Sequence, residues 1–162
     1  MTLRAKFREA ISLRLVPELK RRGFVGPEKI KGNAVLHDFV RHSGTQTESL
    51  SIQFDKRQRP RFILNVHVEP AEGWDEFLKK GGSILYGRIS PGGGIGTGAW
   101  FRADQPWWRR LFGHSASREE AAVDQAILCL DAIDDWFSNP RPTEVVSTFS
   151  QPYRGSGTPK PG

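Results

Sequence analysis

The chain has a single cysteine, Cys129, so no disulfide can form within it. That suits a reducing compartment better than a secretory one. No apolar run approaches the roughly 18–20 residues that a membrane-spanning helix needs. The opening residues, Met-Thr-Leu-Arg-Ala-Lys-Phe-Arg-Glu, lack the apolar stretch of a secretory signal. The expectation is a cytoplasmic protein with no membrane partner. Catalytic signatures are equally scarce. His37, His42, His67 and His114 stand apart, with no H-E-x-x-H or C-x-x-C spacing that would hold a metal. There is no G-x-S-x-G nucleophile elbow. Residues 91–98, Pro-Gly-Gly-Gly-Ile-Gly-Thr-Gly, resemble a phosphate loop but lead into Ala-Trp-Phe-Arg rather than a helix, and no Gly-Lys-Ser/Thr follows. They read as a surface loop. No metal, cofactor or catalytic residue is expected.

What is present is a hairpin. Leu50, Ile52 and Phe54 alternate with Ser51, Gln53 and Asp55, and Phe62, Leu64 and Val66 alternate with Ile63, Asn65 and His67. Period-two alternation gives each strand one apolar and one largely polar face. The link between them, 56–61, is short, polar and contains Pro60. A further strand is expected at 33–42, in a phase that the apolar residues leave open. Val35 and Phe39 share one face, Leu36 and Val40 the other. More strands are expected at 83–90 and around 99–102.

Two amphipathic helices can cover the apolar face. Leu3, Phe7, Ile11, Leu15 and Leu19 form a stripe over 2–22. Thr2 suits its N-cap and Gly23 its C-terminal turn. Pro17 lacks the N–H that would meet the Leu13 carbonyl, so a kink or break is expected near Val16. The second helix starts at Ser117-Arg-Glu-Glu120, a capping-box sequence, and ends at Asn139-Pro140. Its core stripe is Val123, Ile127, Leu130, Ile133 and Phe137. The predicted architecture is α+β: an antiparallel sheet of four or five strands with the N- and C-terminal helices on one face. One domain, 1–140, precedes a Pro/Ser/Gly-rich tail, 141–162, too poor in apolar residues from about 151 to order.

The net charge of +6 is uneven. Residues 1–32 hold nine Lys or Arg against three Glu, whereas 33–140 hold twelve against fourteen acids. The second helix carries Asp131, Asp134 and Asp135 near its C-terminal end, where the helix dipole disfavours them. Lys6, Arg8, Arg14, Lys20, Arg21 and Arg22 are the nearest cations. The expectation is that the two helices lie side by side with opposite charges at their shared edge.

Several segments together resemble a known family. Leu-Lys-Arg-Arg-Gly-Phe (19–24) follows the Pro-interrupted helix, and Ile-Gln-Phe-Asp-Lys (52–56) and Pro-Arg-Phe-Ile-Leu-Asn-Val (60–66) form the hairpin. Gly-Arg-Ile-Ser-Pro (87–91) and Ala-Trp-Phe-Arg (99–102) come after it. This order, over about residues 3–137, resembles a bacterial family called domain of unknown function 4304. The resemblance implies a small α+β domain and no activity.

Two surfaces stand out. The polar sheet face would present Gln53, Asp55, Asn65, His67 and Glu69. Trp100, Arg102, Trp107 and Arg109 combine aromatic and basic groups, as in single-strand binding, though tryptophans in a core flanked by snorkelling arginines read the same way. The leading expectation is a non-catalytic binding module with a protein partner on the polar face. A nucleic-acid-associated protein using the basic and Trp/Arg segments is the alternative, and an enzyme centred on His67 and Asp55 is the third.

Overall fold

A computed structural model describes residues 2–32, 34–81, 83–89, 91, 100–103 and 118–152. The architecture is α+β. Among the described residues, strands β1 (Leu36–Ser43), β2 (Gln46–Phe54), β3 (Arg61–Glu69), β4 (Ser83–Ile89), β5 (Phe101–Arg102) and β6 (Val146–Pro152) form one antiparallel sheet. Its order is β1-β2-β3-β4-β6. Strand β5 pairs with β3 beside the end of β4, on the edge of β3 that β2 leaves free.

The hairpin register follows the alternation. Leu50 pairs with Val66, Ile52 with Leu64 and Phe54 with Phe62. All six are buried on the helix-facing side. The phase of β1, open in the sequence, is settled by its pairing: Phe39 sits opposite Leu50 and faces the core, which leaves Leu36 and Asp38 on the other face.

Helices α1 (Leu3–Ala10) and α2 (Val16–Arg21) are joined by a π turn, Ile11–Leu15. An uninterrupted α-helix would swing a stripe spaced by four through about 160° between Leu3 and Leu19. The wider π turn takes up one residue and keeps Phe7, Ile11, Leu15 and Leu19 on the core. Its bond runs from the Val16 N–H to the Ile11 carbonyl, and Pro17 begins the next helix where no N–H is needed. The expected kink is therefore a π turn placed slightly earlier. Ser12 anchors it: its hydroxyl donates to the Arg8 carbonyl and accepts from the Ile30 N–H, each at 2.8 Å. Thr2 caps α1 through Ala5 N–H. At the other end Gly23, at φ +87°, allows the Phe24 N–H to reach the Leu19 carbonyl and its own N–H to reach Lys20.

A short helix, α3 (Trp74–Lys79), links β3 to β4. The C-terminal helix is two pieces, α4 (Arg118–Leu128) and α5 (Leu130–Ser138), stepped at Cys129. The step puts Ala126, Cys129 and Leu130 inward and leaves Ile127 only half-buried. Ser117 of the expected capping box lies outside the described residues. Trp136 is in the core, 1% exposed, and its indole N–H donates to the Thr148 hydroxyl of β6 at 2.9 Å. Gly87 of β4 makes room for it: a Cβ there would come within 2.7 Å of Val66 and 2.9 Å of Trp136.

Strand β6 lies within the expected tail, 141–162, and joins that part of it to the sheet. Val146 is fully buried and pairs with Ile89, and the pairing continues through Gln151 and Pro152. Such an edge strand needs only one inward residue in two, which here is met by Val146 and its alternate Thr148.

The two helices do meet through opposite charges. Arg14 pairs with Asp124 at 2.7 Å, and Arg22 reaches Asp131 at 2.6 Å and Asp134 at 2.5 Å. Arg41 of β1 joins Asp134 at 2.8 Å and the buried Glu48 at 2.5 Å, with its guanidinium over the Phe24 ring. Burial would lower the Arg22 pKa, but Asp131, Glu18 and Asp134 together raise it. Of the other cations expected at this edge, Lys20 and Arg21 pair with Glu28 and Glu18 on their own segment, and Arg8 turns to backbone carbonyls.

Candidate functional site

The helices cover one face of the sheet, and residues of the opposite face enclose a hollow of about 460 Å³. Strand register builds it in rows. Asp38, Ser51, Asn65, Arg88 and Ser147 lie side by side across five strands, and Val40, Ser49, His67, Tyr86 and Phe149 form the next row. Alternation on every strand then places Gln53 and Leu36 at one end of the hollow.

Side chains within the rows hold one another. The Ser51 hydroxyl donates to Asp38 at 2.6 Å. Asn65 donates to Gln53 at 2.9 Å and accepts from Arg88 Nε at 3.0 Å. The Arg88 guanidinium also lies 5.4 Å from the Phe149 ring, which stacks on Tyr86 at 5.7 Å. The His67 ring is 5.6 Å from Tyr86. Burial lowers the His67 pKa, although Glu69 and Asp38 pull it the other way, so the imidazole is neutral at pH 7. The hollow thus combines one anion, one cation, a neutral imidazole, two amides and an aromatic wall. That set can recognise a polar group and stack a planar one.

The expected site residues divide. Gln53, Asn65 and His67 line the hollow. Glu69 lies beyond its edge, accepting a 2.8 Å bond from the Ser49 hydroxyl. Asp55 is elsewhere. It closes the β2–β3 turn, accepting from the Arg57 N–H at 2.6 Å and pairing with the Arg61 guanidinium. Burial would push its carboxyl up, but those two partners hold it below its ordinary value. His67 sits opposite Ser49, six residues along β2 from Asp55, so roughly 20 Å separates them. They do not form a catalytic pair.

Trp100 lies against the Arg61 guanidinium, whose centre is 4.4 Å from its ring, and Arg102 pairs across β5 with Arg61. Trp107 and Arg109 lie outside the described residues, as does the glycine run 92–98 after Pro91. Cys129 is buried, which raises its thiol pKa and leaves it inert at neutral pH. Among the described residues no group of three or more His, Cys, Asp or Glu converges to hold a metal, and no helix is long and apolar enough to cross a membrane.

Sequence reasoning placed Ser51 on the polar face without naming it a site residue, and missed Asp38, Ser49, Tyr86, Arg88 and Phe149. Tyr86 and Arg88 were within reach, since they alternate with Gly87 and Ile89. Asp38 required the register of β1, and Phe149 required β6. Compared with protein-family models, curated proteins and solved structures, the chain matches none.

Proposed function

We propose that this protein is a non-catalytic binding module that docks a protein partner on the open face of its sheet. The hollow takes one of the partner's polar or planar side chains. The supporting observation is the pre-assembled row of Asp38, Ser51, Asn65 and Arg88 beside the Tyr86–Phe149 wall. Groups that already hold one another lose little further freedom on binding, which favours affinity. A cytoplasmic location and membership of domain of unknown function 4304 belong to the same proposal. Both are compatible with an α+β chain in which no described helix can cross a membrane.

The test is affinity capture from the native host with the wild-type chain and with the double variant His67→Ala, Arg88→Ala. Both side chains are partly exposed, so the variant should fold, as circular dichroism would check. A partner retained by the wild type and lost by the variant is the expected result. Equal recovery by both would refute a role for this face.

A further inference from the structure

A second hollow, of about 530 Å³, lies between the N-terminal helix and the connector that reaches Gly32. Arg4, Arg8, Lys29 and Lys31 line it against one carboxylate, Glu9. Leaving Arg4 aside, Arg8, Lys29 and Lys31 against Glu9 give an excess of two positive charges facing one space. Elsewhere on the helical side Arg14, Arg21, Arg22 and Arg41 each have a carboxylate partner.

Arg8 is the unusual member. It is only 7% exposed, yet its guanidinium donates to the carbonyls of Lys31, Gly32 and Ala34 and to no carboxylate. Its Nε is buried without a partner, and the group lies 4.5 Å from the Phe54 ring centre. Carbonyls satisfy donors but carry no net charge, so the buried charge remains uncompensated. Burial, and then repulsion from Arg4, lowers the Arg8 pKa, the direction expected of a cation with no anion beside it. Among the described residues Lys29 and Lys31 form no ion pair. A purely structural peg would explain the three bonds from Arg8 to the connector. It would not explain Lys29 and Lys31 around the same hollow.

We propose that this hollow binds an oxyanion, specifically a phosphoryl group, with Arg4, Lys29 and Lys31 around it and the Arg8 charge beneath. An excess of two charges matches a dianion better than a single carboxylate. Leu13, exposed on the rim, offers apolar contact to whatever carries the phosphoryl group. The carrier is either a soluble phosphomonoester or the headgroup of an anionic lipid. This site is independent of the open sheet face.

The experiment uses the full chain and two probes. Pyrophosphate is titrated by calorimetry, and vesicles of phosphatidic acid in phosphatidylcholine are tested by co-sedimentation against phosphatidylcholine alone. The variant Lys29→Ser, Lys31→Ser alters two exposed side chains and should fold normally, unlike a change at Arg8. Arg88→Ala serves as the control. Binding weakened at least about tenfold by the lysine changes and unaltered in the control is the expected result. Calorimetric binding identifies a soluble phosphate ester, and binding to the acidic vesicles alone identifies a lipid headgroup. No binding of either probe, binding indifferent to the lysine changes, or binding lost in Arg88→Ala overturns the proposal.

Discussion

Phe62 sits where the hairpin, the N-terminal helix and β5 meet. It is fully buried, and its ring centre lies 5.5 Å from that of Phe7, 6.3 Å from Phe54 and 5.1 Å from Phe101, the last pair stacked at 25°. Phe62→Ala removes a whole ring and leaves a cavity that three large neighbours, each on a different element, cannot readily close. The expected loss is about 3–5 kcal/mol. For a chain of this size each kcal/mol corresponds to about 2–4 °C in Tm, so the midpoint should fall by roughly 6–20 °C. Phe62→Leu keeps most of the volume but loses the ring contacts, and should cost about 1–2 kcal/mol. The assay is urea unfolding followed by far-ultraviolet circular dichroism, with the m value fixed so that the midpoint reports stability. A Phe62→Ala loss below about 1.5 kcal/mol, or equal losses for the two variants, would refute the claim that this ring joins three elements.

Gly87→Ala should destabilise by about 1–3 kcal/mol, because the new methyl would overlap Val66 and Trp136; a neutral result in the same urea assay would show that the indole can shift. Thr148→Val removes the acceptor of the buried Trp136 N–H and should cost about 1–3 kcal/mol, visible as a lower urea midpoint and altered tryptophan fluorescence. Arg22→Ala strips the cation shared by Glu18, Asp131 and Asp134. It should cost about 2–3 kcal/mol, less than a fully buried pair because Asp131 is exposed; in the double variant with Asp134→Ala the losses should not add. Mild acid should also destabilise. Burial lowers the pKa of His37 and His67, so the unfolded chain takes up protons first as pH falls below about 6.5, and stability falls with it. Urea midpoints measured from about pH 7.5 to 5.5 check this, and replacing both histidines with Gln should flatten the slope. A separate loss belongs below about pH 4.5. The Arg21 hydrogen bond, with Arg22 adding to it, lowers Glu18 to about 2, so its stabilising charge disappears only on approaching that pH.

Short-range patterns set much of this fold. Alternation from Leu50 to Val66 fixed which side of the hairpin faces the core, since a one-residue slip would have turned every apolar side chain to water. Thr2, Pro17 and Gly23 act on the backbone within a turn of themselves, so the start, interruption and end of the N-terminal helix were legible from the residues alone. The surplus of carboxylates near one helix end and of cations on the other anticipated their pairing, because charge acts over several ångströms and needs no fine geometry. The candidate site was legible only in part. Gln53, Asn65 and His67 belong to the hairpin, whereas Asp38, Arg88 and Phe149 come from strands whose register depends on partners distant in the chain. Strand β6 had no local signature, because its order comes from Ile89 and Trp136, which cover Val146 and Thr148 from other elements. Asp55 and His67 looked like neighbours by residue type and proved to lie at different points along the sheet. The sequence by itself determined the faces, caps and charge balance, which depend on residues a few positions apart. The tertiary structure alone decided which polar residues share a hollow, because strand order and register are set by burial summed over the whole core.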